Sequence, residues 1–198
     1  MTEAIIVGDP QGFFHVRVVI GLVTGLSITR LLAGLSRFVQ HPGRNRIYPA
    51  HFLWVIYLLL FVTHFWWFQF GLATIPKWQY PEYAFVLFYA ALIFFISTLL
   101  FPDQMDDYSG FEDYFHSRVR WFYGLLAAVF IVDIADSLIK GSEHFQSLGT
   151  YYALRQCVLA GLAFIGVFVA HRAYHIGFAL FAILLEVWWI SARFFLLA

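Results

Sequence analysis

The sequence predicts an all-α, polytopic membrane protein, a six-transmembrane-helix bundle with both termini on the outer side. Three observations predict it. Of 198 residues, 62% are hydrophobic and only 12% charged, with a mean hydropathy of +0.75; a soluble domain carries roughly 25% charged residues. Apolar stretches of about 20 residues, enough to cross about 30 Å of hydrocarbon, recur at roughly 14–39, 50–72, 82–101, 119–139, 150–170 and 175–196. Nothing reads as the strands of a closed barrel, and open sheet edges do not survive in lipid. One integral membrane domain over 1–198 is therefore expected, without room for a separate soluble catalytic domain.

The first stretch is preceded by Met1-Thr2-Glu3-Ala4-Ile5-Ile6, which lacks the basic n-region of a signal peptide, so it is expected to persist as a helix. It carries Arg17, Arg30 and a Gly21-x-x-x-Gly25 pair, a spacing that lets membrane helices approach closely. The second holds Trp54 and His64-x-Trp66-Trp67, and the connection after it, Ile75 to Tyr83, reads as an aromatic, proline-bounded cap. The third leads into a loop with five carboxylates between Asp103 and Asp113. Their spacing does not match a calcium-binding EF-hand. They read as a solvated acidic loop, with a cation-focusing vestibule as the sharper alternative. The fourth stretch contains Gly124, Ala128, Asp133 and Asp136, the fifth Arg155 and a small-residue stripe of Ala153, Cys157 and Gly161, and the sixth Glu186. Cys157 is the only cysteine, so disulfides are excluded, and burial against a neighbouring helix is expected for it.

Charge sets orientation. Arg37, Arg44, Arg46, Arg118, Arg120 and Arg172 flank the odd-numbered connections, against Arg17, Lys77, Lys140 and Arg193 at the other end. Loops rich in Lys and Arg stay inside, which predicts loops one, three and five inside and a multi-pass protein of a bacterial inner (plasma) membrane. Trp54, Trp78 and Trp121 are expected as interfacial anchors. Twelve basic residues against twelve acidic ones argue for no nucleic-acid partner. The lipid bilayer is the expected surroundings, and the small-residue stripes predict a homo-oligomer.

An ionisable group at bilayer depth costs at least about 2.5–3.5 kcal/mol, so it needs a partner or a purpose. Arg30, His64, Asp133, Asp136, Arg155 and Glu186 are such groups. Asp136 and Arg155, near the ends of adjacent antiparallel stretches, are expected to pair. Arg30 and Glu186, both read as near the midplane, are the second expected pair. His64 and Glu186 each precede a Trp-Trp by one spacer, and Phe38-Val39-Gln40-His41 echoes Phe168-Val169-Ala170-His171; both matches hint at a repeated helical hairpin, common in transport folds. His41, His51, His116, His171 and His175 gather at the inner surface. His171 and His175 are four apart but are separated by Arg172-Ala173-Tyr174, read as a turn. One His and two carboxylates, His64 with Asp133 and Glu186, would suit a hard divalent cation, but the helical His-x-x-x-His or Glu-x-x-His pairs that would support a metal centre are missing at that depth, so none is expected. Without a Gly-x-Gly-x-x-Gly turn or a P-loop, no cofactor is assigned.

Three functions remain open at this point. The first is conduction or transport of protons or small cations along Glu186, Arg30, His64, Asp133, Asp136 and Arg155. The second is a structural or accessory subunit of a larger membrane complex. The third is a haem- or quinone-dependent membrane oxidoreductase. The first is preferred because Glu186 lies in an apolar run with no basic residue within a helical turn. A carboxyl so placed must find a basic partner on another helix or take up a proton.

Overall fold

The computed structural model describes residues 9–40 and 47–194; Arg44, Arg46 and His41, with the echo at 38–41 that includes it, fall wholly or partly outside them. All described elements are helical and no strand occurs among the described residues. The helices are α1 (Pro10–Gln40), α2 (Pro49–Phe68), α3 (Tyr80–Thr98), α4 (Phe111–Ile139), α5 (Ser142–Ser147), α6 (Thr150–Gly166) and α7 (Arg172–Phe194), with a 3-10 turn at Gln69–Thr74. Among the described residues, five stretches are long and apolar enough to cross a membrane: α1, α2 with its 3-10 turn, α3, α4 and α7. The protein is therefore compatible with a multi-pass membrane protein. α6 has 17 residues, about 26 Å at 1.5 Å per residue, somewhat short of the hydrocarbon thickness.

Contacts along the helices give their directions. Trp54 meets Phe178 and His64 meets Glu186, so α2 and α7 run parallel. Ser137 meets Tyr152, and the Tyr123 ring lies against Gly166, so α4 and α6 run antiparallel. α3 and α4 are also antiparallel, through Tyr89–Asp133 and Leu99–Tyr114. α1 packs on α3 and α2. Its buried face, Val16, Ile20, Thr24, Ser27, Leu31 and Gly34, has the three-and-four spacing of one helical stripe. Both described chain ends lie at the end of the bundle that holds the second and fourth connections: the Asp9 amide donates to Ile75 O at 3.2 Å, and Arg193 donates to Ser147 O.

Several local expectations are corrected. α4 begins at Phe111, so the end of the acidic loop is helical. Glu112 and Asp113 fall in its first turn, where the helix dipole favours acids, and Asp113 Oδ2 accepts the Ser109 amide at 3.1 Å. Arg172-Ala173-Tyr174 is the first turn of α7 rather than a reverse turn. Trp54 is no interfacial anchor: it is fully buried and donates to the Tyr123 hydroxyl at 3.2 Å. Cys157 is exposed, because the buried face of α6 is Tyr152, Arg155, Gln156, Leu159, Ala163 and Gly166.

The small-residue stripes are used unevenly. A Cβ on Gly21 would meet the Trp66 ring at 2.8 Å, so that glycine admits α2 within the same chain, whereas Gly25, Gly124 and Gly161 face open space. The tightest approach is at Gly34, where the Phe101 ring occupies the position a Cβ would take. Gly34→Ala should therefore destabilise the protein by about 1–3 kcal/mol through overpacking, while Gly25→Ala should be neutral or slightly stabilising. Thermal melts of the two variants in detergent check this, and equal melting temperatures would refute the packing assignment.

Candidate functional site

Glu186, fully buried on α7, is the centre of the site. Arg155 of α6 donates to its Oε2. His64 Nδ1 of α2 lies 2.7 Å from its Oε1, and because an ionised carboxylate only accepts, Nδ1 carries the hydrogen of that bond. The two groups that echoed each other in sequence are thus in direct contact. The depths agree: His64 is 15 residues into α2 and Glu186 14 into α7 (64 − 49 and 186 − 172), and parallel helices of equal rise bring such positions level.

Asp133 of α4 forms a second cluster beside the first. Its Oδ1 accepts from the Tyr89 hydroxyl at 2.8 Å, and its Oδ2 accepts from the Tyr152 hydroxyl at 2.6 Å and from Gln156 Nε2. Ser137 Oγ is 2.6 Å from the same Tyr152 hydroxyl. Asp133 is therefore held by neutral donors from α3 and α6. Between the two clusters lies a cavity of about 10 Å³, with His64, Asp133, Tyr152, Arg155 and Gln156 as its polar walls. That is about the space a single water requires.

One turn further along α4, Asp136 receives the Lys140 ammonium at 2.5 Å and Gln69 Nε2 at 3.4 Å. The Lys140 ammonium also lies 3.9 Å from the centre of the Phe68 ring, a cation–π geometry. Lys140 forms part of the wall of an open depression of about 940 Å³, between the 3-10 turn and α5, that also takes in Glu143 and His144. A Cβ on Gly71 would stand 3.1 Å from the His144 ring and 3.2 Å from Lys140 Cδ, so glycine lets these side chains fold over the turn. Burial and the nearby Lys140 and Arg193 charges hold the His144 imidazole below its ordinary pKa.

Both expected ion pairs are replaced. Arg155 meets Glu186 rather than Asp136, because Asp136 already has Lys140 four residues on along its own helix. Arg30 is far from Glu186. It lies 20 residues into α1, about 30 Å along the axis, and its guanidinium donates to Phe101 O at 2.9 Å and to Asp103. That contact holds the Asp103 carboxyl below the usual carboxylate range and ties down the acidic loop, which Arg37 also grips through Pro102 O at 3.0 Å. Of the six candidates, His64, Arg155 and Glu186 are joined directly, Asp133 and Asp136 neighbour them, and Arg30 stands at the opposite end.

Sequence reasoning missed Tyr89, Tyr152, Gln156, Lys140 and Gln69. Tyr152, Arg155 and Gln156 stand at i, i+3 and i+4, a single polar face that was readable in the fifth stretch. The Asp136–Lys140 spacing was readable too, but Lys140 was counted only as a surface charge. Among the described residues, no three His, Cys, Asp or Glu side chains are grouped so as to hold a metal ion; His64 is turned to Glu186 and Asp133 to its tyrosines. Comparison with known proteins gave no matching family model, no matching curated protein and no matching solved structure.

The clamp makes a thermodynamic prediction. Removing one partner of a buried pair leaves an uncompensated charge and costs about 3–5 kcal/mol, whereas replacing both partners by apolar residues is often neutral or stabilising. Arg155→Met should therefore lower stability sharply, and Arg155→Met combined with Glu186→Met should recover most of the loss. A double-mutant cycle measured by thermal unfolding in detergent decides; additive losses would mean that the two side chains do not depend on each other.

Proposed function

We propose that this is a proton-translocating membrane protein of six spanning helices, with α6 as the sixth span and both termini on the outer side. The observation that carries the proton reading is the hydrogen bond between His64 and Glu186. Two titratable groups share one proton position at 2.7 Å, beside a cavity of single-water size bounded on its far side by Asp133. His64 is the most accessible member of the clamp, its side chain 9% exposed against 5% for Arg155 and none for Glu186. The path runs from the open depression through Lys140 and Asp136, along Ser137 and Tyr152 to Asp133, and across the cavity to His64 and Glu186.

The same geometry favours protons over small metal cations. Both Glu186 oxygens are engaged by Arg155 and His64, and Asp133 accepts three hydrogen bonds. A Ca²⁺ or Mg²⁺ ion takes six or more oxygen ligands, which a cavity of single-water size does not offer. A proton needs only a hydrogen-bonded chain. In reconstituted liposomes containing a pH-sensitive dye, an imposed gradient should drive proton flux through the wild type, and Glu186→Gln should reduce it at least tenfold with the fold intact. Unchanged flux in the variant would overturn the role of Glu186. Absence of wild-type flux would favour an accessory subunit, a reading supported by the aromatic layer of Trp54, Tyr57, Phe61 and Phe130 packed at the inner side of the clamp.

α6 supports the six-span topology by its alignment: it is antiparallel to α4 and, through Arg155–Glu186 and Tyr174–Leu162, to α7. Arg30 adds to the basic residues at the end of the third connection, beside Arg37, which agrees with that end being inside. Reporter fusions should place the C-terminus outside and the connection at 167–171 inside. A C-terminus on the inner side would refute the orientation.

A further inference from the structure

A groove runs between α2 and α7 on the face they turn to lipid, beside the clamp. Its deep part, about 290 Å³, is walled by Thr63, His64, Trp67 and Ile190. The Thr63 hydroxyl is turned to Leu59 O and Leu60 O of its own helix, so that wall is apolar apart from the edge of His64. A shallower part of about 240 Å³ lies between Phe70, Trp189 and Arg193 and is bordered by α5 through His144 and Ser147. Trp67 lines both parts, and His144 and Ser147 also line the open depression beyond. The three spaces therefore adjoin, from the depth of the clamp to the end of the bundle.

Charge, length and rigidity together say what fits. Arg193 stands at the mouth and donates to Ser147 O, yet no ion pair among the described residues includes it. A guanidinium has five N–H donors, so it has donors left for an anion. From Thr63 to Gly71, α2 and its 3-10 turn rise roughly 13–14 Å. That is close to the about 15 Å that one leaflet contributes to a hydrocarbon core of about 30 Å. The walls are fixed in advance, which lowers the cost of binding. Trp189 lies between the guanidinium groups of Arg155 and Arg193, each 5.5 Å from the ring centre. Phe70 is covered by Arg17 at 3.9 Å and meets Trp67 edge to face at 5.3 Å.

We propose that this groove binds one phospholipid, with its phosphate on Arg193 and one acyl chain running past Trp67 to His64. The forked donors of a guanidinium match two phosphate oxygens. The apolar length suits an acyl chain and not a peptide, whose backbone groups would find no partners there. The adjoining depression leaves room for the rest of the headgroup. His64 is the clamp residue with the exposed edge, so the bound chain covers the clamp from the lipid side and keeps water from entering there. That consequence rests on the proton reading, whereas the binding rests only on the helices lying in a bilayer.

The test titrates the full chain, delipidated in a non-ionic detergent, with palmitoyl-oleoyl phosphatidylglycerol and counts bound lipid by native mass spectrometry. The wild type should retain one phospholipid per chain. Arg193→Gln should weaken retention about tenfold or more, the loss of a charge-assisted contact. Ile190→Trp fills the deep part with Arg193 in place and should expel the lipid. Phe88→Trp adds the same ring at an exposed position of α3 and should change nothing. If Ile190→Trp fails to fold, Thr63→Phe, at an exposed position of α2, fills the same space from the other wall. An empty wild type, full retention by Arg193→Gln, or retention unaffected by the groove-filling variants would overturn the proposal. So would displacement by millimolar inorganic phosphate, which would mean a site for a free anion, or by an equal concentration of oleate or of a lipid-soluble quinone. Lipid retained without wild-type proton flux counts against the clamp alone, and flux without retained lipid against this groove alone.

Discussion

A carboxylate inside hydrocarbon cannot be left to water, and that constraint organises the bundle. Glu186 is fully buried and draws its donors from two other helices, α2 through His64 and α6 through Arg155. Asp133 does the same with α3 through Tyr89 and with α6 through Tyr152 and Gln156. Two acids on α7 and α4 thereby join five helices. In lipid the apolar side chains have little preference for each other over acyl chains, so the directional bonds to these acids contribute an outsized share of the information that sets helix order and register. α6, the shortest of the six long helices, supplies Tyr152, Arg155 and Gln156 to both acids, which explains how a helix below the usual spanning length is held in place.

The sequence made the helical membrane class and the identity of the deep charges legible, because composition and run length report directly on the solvent. It did not reveal which charges meet. Pairing depends on which helices are neighbours and at what depth, and Arg155 could be matched by depth to several acids. Asp136 was assigned to it because the two helices are consecutive, whereas Lys140, four residues along the same helix, has no inter-helix geometry to satisfy. Arg30 was misplaced for a different reason: α1 is 31 residues long, more than one bilayer crossing needs, so counting inward from an assumed boundary put it too deep. The tyrosines were missed because Tyr57, Tyr89, Tyr123 and Tyr152 read as aromatic bulk in an apolar run, and only the fold shows which hydroxyls find an acceptor.

The echo of His64-x-Trp-Trp with Glu186-x-Trp-Trp shows how a weak sequence signal acquires physical meaning. Taken alone, such a match arises easily among aromatic-rich helices. In the structure, α2 and α7 are parallel neighbours, and the matched positions are hydrogen-bonded partners at the same level. The similarity then has a packing basis: on each helix an ionisable group faces the other helix, and on α7 the Trp189 that follows it packs against Tyr152.

Polar chemistry is divided between the two ends of the molecule. Asp133, Asp136, Lys140, Arg155, Glu186 and His64 occupy the half that holds both described chain ends, while Tyr48, His51, His116 and His175 occupy the other. Between them Trp54, Tyr57, Phe61 and Phe130 stack edge to face. The Tyr57 hydroxyl is buried there, within electrostatic reach of Glu186 and Arg155 but without a hydrogen-bond partner among the described residues. On the proposed reading it is the first protic group beyond the clamp, and the next is Trp54 Nε1, already committed to Tyr123. On that same proposal, flux through the bundle is limited at this aromatic layer and not at Glu186. A proton leaving the clamp must wait for a rearrangement that brings the Tyr57 hydroxyl to an acceptor, and collective helix motions of that kind take microseconds to milliseconds. The proposed translocator is therefore a slow, gated one, in contrast to an open water-filled pore.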